Sequence, residues 1–162
     1  MVKRIEILLL LLIVVNSYSQ STKSSLDDAY SKYKNLSNSE NSTKLIDYLM
    51  KQYYLLVEIE ESNLITLKSP SKEIETHRLE LIAYNFFENK ENFEKKYKER
   101  PLDLSEENLN QYVHIYGKIE ENFGVFRRFL NRKDEEQKEL YEEFESNNLN
   151  CIPLLIELLK KF

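Results

Sequence analysis

Between Leu109 and Leu130 the apolar positions recur at intervals of three and four residues: Leu109, Tyr112, Tyr116, Ile119, Phe123, Phe126 and Leu130. That alternation lays one seam along an α-helix, and the polar residues between them occupy its other side. The stretch predicts a long helix packed lengthwise against others. Asp103 and Ser105 compete as its cap, and Glu106 and Glu107 suit the positive end of the helix dipole.

The other periodic segments read as its partners. A polar, loose stretch from Gln20 to Ser25 leads into a short helix marked by Leu26, Ala29, Tyr30, Tyr33 and Leu36, and an Asn/Ser-rich loop follows. A second helix is expected from Ser42, a cap, to Glu61. Leu45, Leu49, Tyr53, Leu56 and Ile59 mark its face, and Ile46, Met50, Tyr54 and Val57 widen it, as in the most buried helix of a bundle. In the connector, Leu64, Ile65 and Leu67 are positioned to return to the core. Ser69-Pro70 reads as a cap followed by proline at the first position of a third helix. Its seam is Leu79, Ala83, Phe86, Phe93 and Tyr97, weakened around Asn89 to Asn92 and ended by Pro101. Beyond Leu130, the polar run Asn131 to Gln137 predicts a break or a solvated stretch before Leu140, Tyr141 and Phe144. Pro153 then reads as the first turn of a last helix carrying Leu154, Leu155, Leu158, Leu159 and Phe162.

Together these segments predict an all-α fold: an up-and-down bundle of three main helices with two or three shorter helices packed on them. Composition supports it. The chain has 2 glycines and 3 prolines, too few for many turns of positive φ.

The first nineteen residues stand apart. Lys3 and Arg4 precede an unbroken apolar run from Leu8 to Val15, and Ser17-Tyr18-Ser19 has the small-x-small form of a cleavage site before Gln20. This is the pattern of a secretory signal peptide, and the run is far shorter than the roughly 20 residues that span a bilayer. The expectation is therefore a signal peptide over 1–19 and a single helical domain over 20–162. The product would be exported to the periplasm or the cell exterior, without stable membrane insertion after cleavage. A formal net charge of −5 opposes non-specific attraction to nucleic acid. Cys151 is the one cysteine, so no internal disulfide is expected. The favoured reading of Cys151 is a small buried hydrophobe near the start of the last helix; the alternatives are an intermolecular disulfide and a reactive thiol.

Candidate chemistry is sparse. A di-iron bundle needs Glu-x-x-His pairs, but Ile74 precedes His77 by three residues and Gln111 precedes His114 by three. Glu73 and His77 share a helical face, a weak pairing in so acidic a chain. The acids fall in runs such as Glu58/Glu60/Glu61 and Glu142/Glu143, which read as solvated faces. Nucleophile elbows, phosphate loops and dinucleotide fingerprints are missing from the sequence, and no motif carries a family resemblance. No catalytic residue, metal or cofactor is assigned. Several of the tyrosines, Tyr30, Tyr33, Tyr53, Tyr97, Tyr112 and Tyr116, fall at core-facing positions, which reads as buried rings with hydroxyls at the rim.

One feature resists a purely structural account. Gly117 and Gly124 lie one heptad apart on the side of the 109–130 helix away from its seam, and each costs about 1 kcal/mol relative to alanine. With Asn110, His114, Glu121 and Arg128 they outline a track that a partner's backbone could approach closely. The competing account is a kink, or a helix end at Gly124. The leading expectation is thus a non-enzymatic factor that binds another protein, toxin-neutralising or chaperone-like, of undetermined oligomeric state. The alternatives are an enzyme using Glu and His in a groove, and a carrier of an apolar ligand within the bundle.

Overall fold

The computed structural model describes residues 20–36, 40–89, 104–133 and 135–161. Over these residues it is a bundle of five α-helices with no strand, in agreement with the periodicity. They are α1 (20–36), α2 (Glu40–Glu61), α3 (Ser71–Glu88), α4 (Glu106–Leu130) and α5 (Glu135–Lys160). The expected signal peptide, Phe93, Tyr97, Pro101 and Asp103 lie outside the described residues.

Neighbouring helices alternate in direction. In α1 and α2, Lys23 meets Glu60 and Tyr30 meets Asp47, so the two run antiparallel. Contacts of Leu45 with Tyr112 and of Tyr48 with Tyr116 make α2 and α4 parallel. The most extensive pairing is α4 with α5, a hairpin whose described loop residues are 131–133. The side-chain amide of Gln137 stitches that loop, donating to the carbonyls of Phe129 (3.4 Å) and Arg132 (3.3 Å).

The seam on α4 is buried as its spacing requires. From Leu109 to Phe126 every seam residue is buried, and Leu130 is half-buried at the end. Ile115, Asn122 and Phe129, one heptad apart, are buried as well, so the helix sinks a wider face than the seam alone. Aromatic rings fill the layer beneath it. Phe86 of α3 stacks on Phe123 with centroids 4.0 Å apart, and Phe126, Phe129, Tyr141 and Phe144 form a second cluster between α4 and α5. Ser105 is the cap of α4, its hydroxyl accepting from the Asn108 amide at 3.2 Å.

Local expectations were overturned where tertiary ties outweigh local propensity. Residues 20–25 are helical rather than loose, because Leu26 is buried and Lys23 reaches across to Glu60. Leu36, at the end of α1, is 71 % exposed instead of core-facing. Ser42 lies inside α2 and is buried, since that helix begins at Glu40. Helix α3 begins at Ser71 with Pro70 in the cap position. Its first amides are taken by the carbonyls of Lys68 and Pro70, which leaves the Ser69 hydroxyl to donate to the Glu73 carboxylate at 2.7 Å. In the α2–α3 connector, Asn63 adopts φ 50°, taking the left-handed position that glycine usually fills after a helix. Leu64 there is buried, and Ile65 and Leu67 pack on the core as expected.

The largest departure is at the C-terminus. Pro153 does not open a helix; it sits inside α5, the longest helix described at 26 residues. Proline removes one hydrogen bond to the carbonyl four residues back. Because Pro153 is on the exposed side, the Leu149 carbonyl is left on the face nearest water rather than in the core.

Candidate functional site

The outer face of α4 carries the residues singled out from the sequence. Asn110, His114, Gly117, Glu121 and Arg128 are exposed and Gly124 is half-buried, all turned away from the aromatic core. The helix runs unbroken through both glycines. A Cβ atom built on either would meet nothing within 4 Å. Neither glycine is therefore required by a close approach within the fold, and neither marks a helix end. Both leave bare backbone facing solvent.

At its C-terminal end this face deepens into a hollow lined by Gly124, Arg127, Arg128, Asn131 and Arg132. The gap at Gly124 supplies the floor. Helical side chains lean toward the N-terminus, so residues three, four and eight positions further along wall it in. Arg127 lies over the Phe87 ring at 4.9 Å, while Arg128 pairs with Glu143 at 3.3 Å and Arg132 with Glu136 at 3.6 Å. These arginines are not needed to cap the helix. The Asn131 amide donates to the Arg128 carbonyl and its side chain to the Arg127 carbonyl, and the Phe129 carbonyl accepts from the Arg132 amide and from Gln137.

A groove between α3 and α4 adjoins the hollow and shares Arg127 and Asn131 with it. Ala83, Tyr84 and Phe87 of α3 and Leu130 of α4 give it an apolar floor, and Glu80 and Glu88 stand on its α3 side. Tyr84 is 63 % exposed, and Ile74 and Leu81 are exposed on the same outer side of α3.

A second polar constellation lies inside the bundle, on residues outside the apolar seams. Asn122 of α4 and Asn148 of α5 are both wholly buried. The Asn122 amide donates to Asn148 Oδ1 (2.7 Å) and to the Phe144 carbonyl (3.0 Å). In turn the Asn148 amide donates to Glu60 Oε2 (2.8 Å) and the Leu56 carbonyl (3.3 Å) on α2. Glu60 also accepts from Lys23 of α1 at 3.0 Å. The Tyr53 hydroxyl donates to the Asn148 carbonyl and that of Tyr141 to the Glu60 carbonyl. Four helices are thus joined by one chain of hydrogen bonds. Nearby, burial pushes the Glu145 carboxyl above the usual range, helped by the negative charges of Glu60 and Glu142 and opposed by Lys23. A signal for both asparagines was present. Asn122 continues the heptad of Ile115 and Phe129, and Tyr141, Phe144, Asn148, Cys151, Leu155 and Leu158 step by three and four straight through Pro153.

The remaining candidates do not converge. Cys151 is buried in the middle of α5 rather than near a helix start, and burial raises its thiol to about 11. That is the small-hydrophobe reading, since burial outweighs the charge of Lys118, which favours the thiolate. His77 is exposed and lies 3.6 Å from Glu80, not Glu73, whose carboxylate instead holds Ser69. Among the described residues no group of three or more His, Cys, Asp or Glu is placed to hold a metal ion. No helix among them is long and apolar enough to cross a membrane. Of the tyrosines, Tyr33, Tyr53, Tyr112 and Tyr116 are buried as expected, and Tyr30 is half-buried with its hydroxyl donating to Asp47. No family model, no curated relative and no solved structure matches the chain.

Proposed function

We propose that this chain is an exported, non-enzymatic binding protein that recognises another protein through the outer face of α4. The observation carrying the proposal is the pair of open glycines. Each weakens α4 by about 1 kcal/mol relative to alanine, and the space beside each is unused within the molecule. A partner backbone crossing that track would use the missing side chains, as small residues do wherever helices approach closely. The exposed neighbours Asn110, His114 and Glu121 supply polar groups along the rim, where partner selectivity is set.

The test is capture of partners by the chain, purified from its own exported fraction, with the wild type and a Gly117→Leu/Gly124→Leu variant side by side. Both positions are open to a Cβ atom, and circular dichroism verifies that the variant is folded. A partner held by the wild type and lost by the variant supports the proposal. Equal capture by both proteins removes the α4 face from it, and N-terminal sequencing of the exported chain decides whether the mature form begins at Gln20.

A further inference from the structure

We infer that the Gly124 hollow and the adjoining α3–α4 groove receive an acidic amphipathic segment of a partner protein. Its carboxylates would lie on Arg127, Arg128 and Arg132 and its apolar side chains against Tyr84, Phe87 and Leu130. The inference rests on reading the outer face of α4 as a binding surface, and it assigns the chemistry of what binds there.

Charge complementarity carries it. The hollow itself is lined by three arginines and no acidic residue, and the acids nearest it, Glu136, Glu139 and Glu143, stand on the α5 side, where they share a neighbouring hollow with Arg128 and Arg132. The carbonyls of Arg127, Arg128 and Phe129 at the end of α4 are already satisfied by Asn131, Arg132 and Gln137, so the guanidinium groups are not consumed by the helix terminus. Arg127 has no carboxylate partner among the described residues and is held over Phe87 by its cation–π contact. Arg128 and Arg132 do have partners, but both pairs are open to water, with side-chain exposures of 59 % and 47 % for one and 59 % and 65 % for the other. Exposed pairs of this kind contribute little, so an incoming carboxylate displaces them readily. Arginine's planar fork is suited to that exchange, because it binds a carboxylate through two parallel hydrogen bonds.

The groove sets the occupant's second face and its orientation. Tyr84, Phe87, Leu130 and Ala83 offer apolar surface beside the arginines. Glu80 and Glu88 on the α3 side repel acid there, so the acidic flank is directed over α4 and the apolar flank over α3. The same apolar floor disfavours a phosphate polyanion, which has no apolar flank to place there, in favour of a protein segment.

The probe is a helical peptide of leucine and glutamate, compared with its glutamine counterpart, titrated against the full mature chain at low and high salt. The expected result is binding of the glutamate peptide at least about tenfold tighter than of the glutamine peptide, weakening with salt as exposed charge pairs do. An Arg127→Gln/Arg128→Gln/Arg132→Gln variant should lose that preference, and the corresponding triple lysine variant should keep part of it. All three positions are exposed, and circular dichroism confirms that each variant is folded. Equal binding of the two peptides, or an unchanged preference in the glutamine variant, overturns the inference. So does binding of phosphatidylglycerol vesicles in place of the peptide. A partner whose capture depends on Gly117 and Gly124 but not on the arginines overturns the acidic segment while leaving the α4 face as a binding surface. Capture independent of both sets removes the two readings together.

Discussion

The two faces of α4 answer opposite requirements within one helix. Its inner face is filled to contact: Phe123, Phe126 and Phe129 have no exposed surface, and the ring of Phe86 lies 4.0 Å from that of Phe123. Its outer face is left empty at the two positions where a side chain would be accommodated without strain. Burial thus explains every large residue on one side, and nothing within the fold explains the smallest residues on the other. Sites that stability does not account for are where function is best sought.

The largest expected effect breaks the inner face. Replacing Phe123 by alanine should cost about 3–5 kcal/mol, the transfer free energy of a buried ring plus the cavity left beside Phe86. Denaturant unfolding measures it, and an unchanged midpoint would refute the packing described. The polar joint comes next. Asn148→Ala removes the amide that serves Glu60 and Leu56 and strands the donor on Asn122, so a loss of about 1–3 kcal/mol is expected in the same assay. A double Leu replacement at Asn122 and Asn148 should lose less than the sum of the single changes, since it removes both partners of their mutual bond.

On the outer face the sign reverses. Changing Gly117 and Gly124 together to alanine should raise stability by about 1–2 kcal/mol, because no atom stands in the way and the unfolded chain loses freedom. A decrease would mean that the face is in contact with something in the isolated protein, such as a second copy. The smallest effect concerns Glu145. Its carboxyl is raised in the folded state, so the native protein binds this proton more tightly than the unfolded chain does. As pH falls from neutrality through the raised value, this group therefore adds stability, and the gain is complete once pH lies below the unfolded value of about 4.3. Glu145→Gln should raise the melting temperature slightly at neutral pH and flatten the profile in that window.

Much of the fold was legible because a helix repeats its apolar residues with a period that a linear reading captures. The α4 seam, the buried face of α2, and Leu79, Ala83 and Phe86 of α3 all follow from spacing alone. Helix ends were less legible. Lys68 and Pro70 carbonyls rather than the Ser69 side chain serve the first turn of α3, and a cross-helix bond from Lys23 accompanies the helicity of residues 20–25. The outer stripe was visible in the sequence as two glycines one heptad apart, but its relation to the hollow and to the α3 groove was not. That relation depends on residues from two helices and on where long arginine side chains come to rest.

The asparagines mark the boundary most clearly. By itself the sequence determined that this chain is helical, which faces it buries, and that Gly117 and Gly124 lie off the seam, since all of these depend on residues within a few turns of one another. Only the tertiary structure decided that Asn122 and Asn148 are core residues and that α5 continues through Pro153. A buried amide is tolerable when partners on another helix accept from its N–H groups, and here Glu60, Leu56 and Phe144 do so from 22 to 92 residues away, while Asn122 Oδ1 is left without a partner among the described residues. Local propensity has no access to a partner at that distance, so a polar residue on a helix face is not recognised as core until the fold brings the other half of the bond beside it.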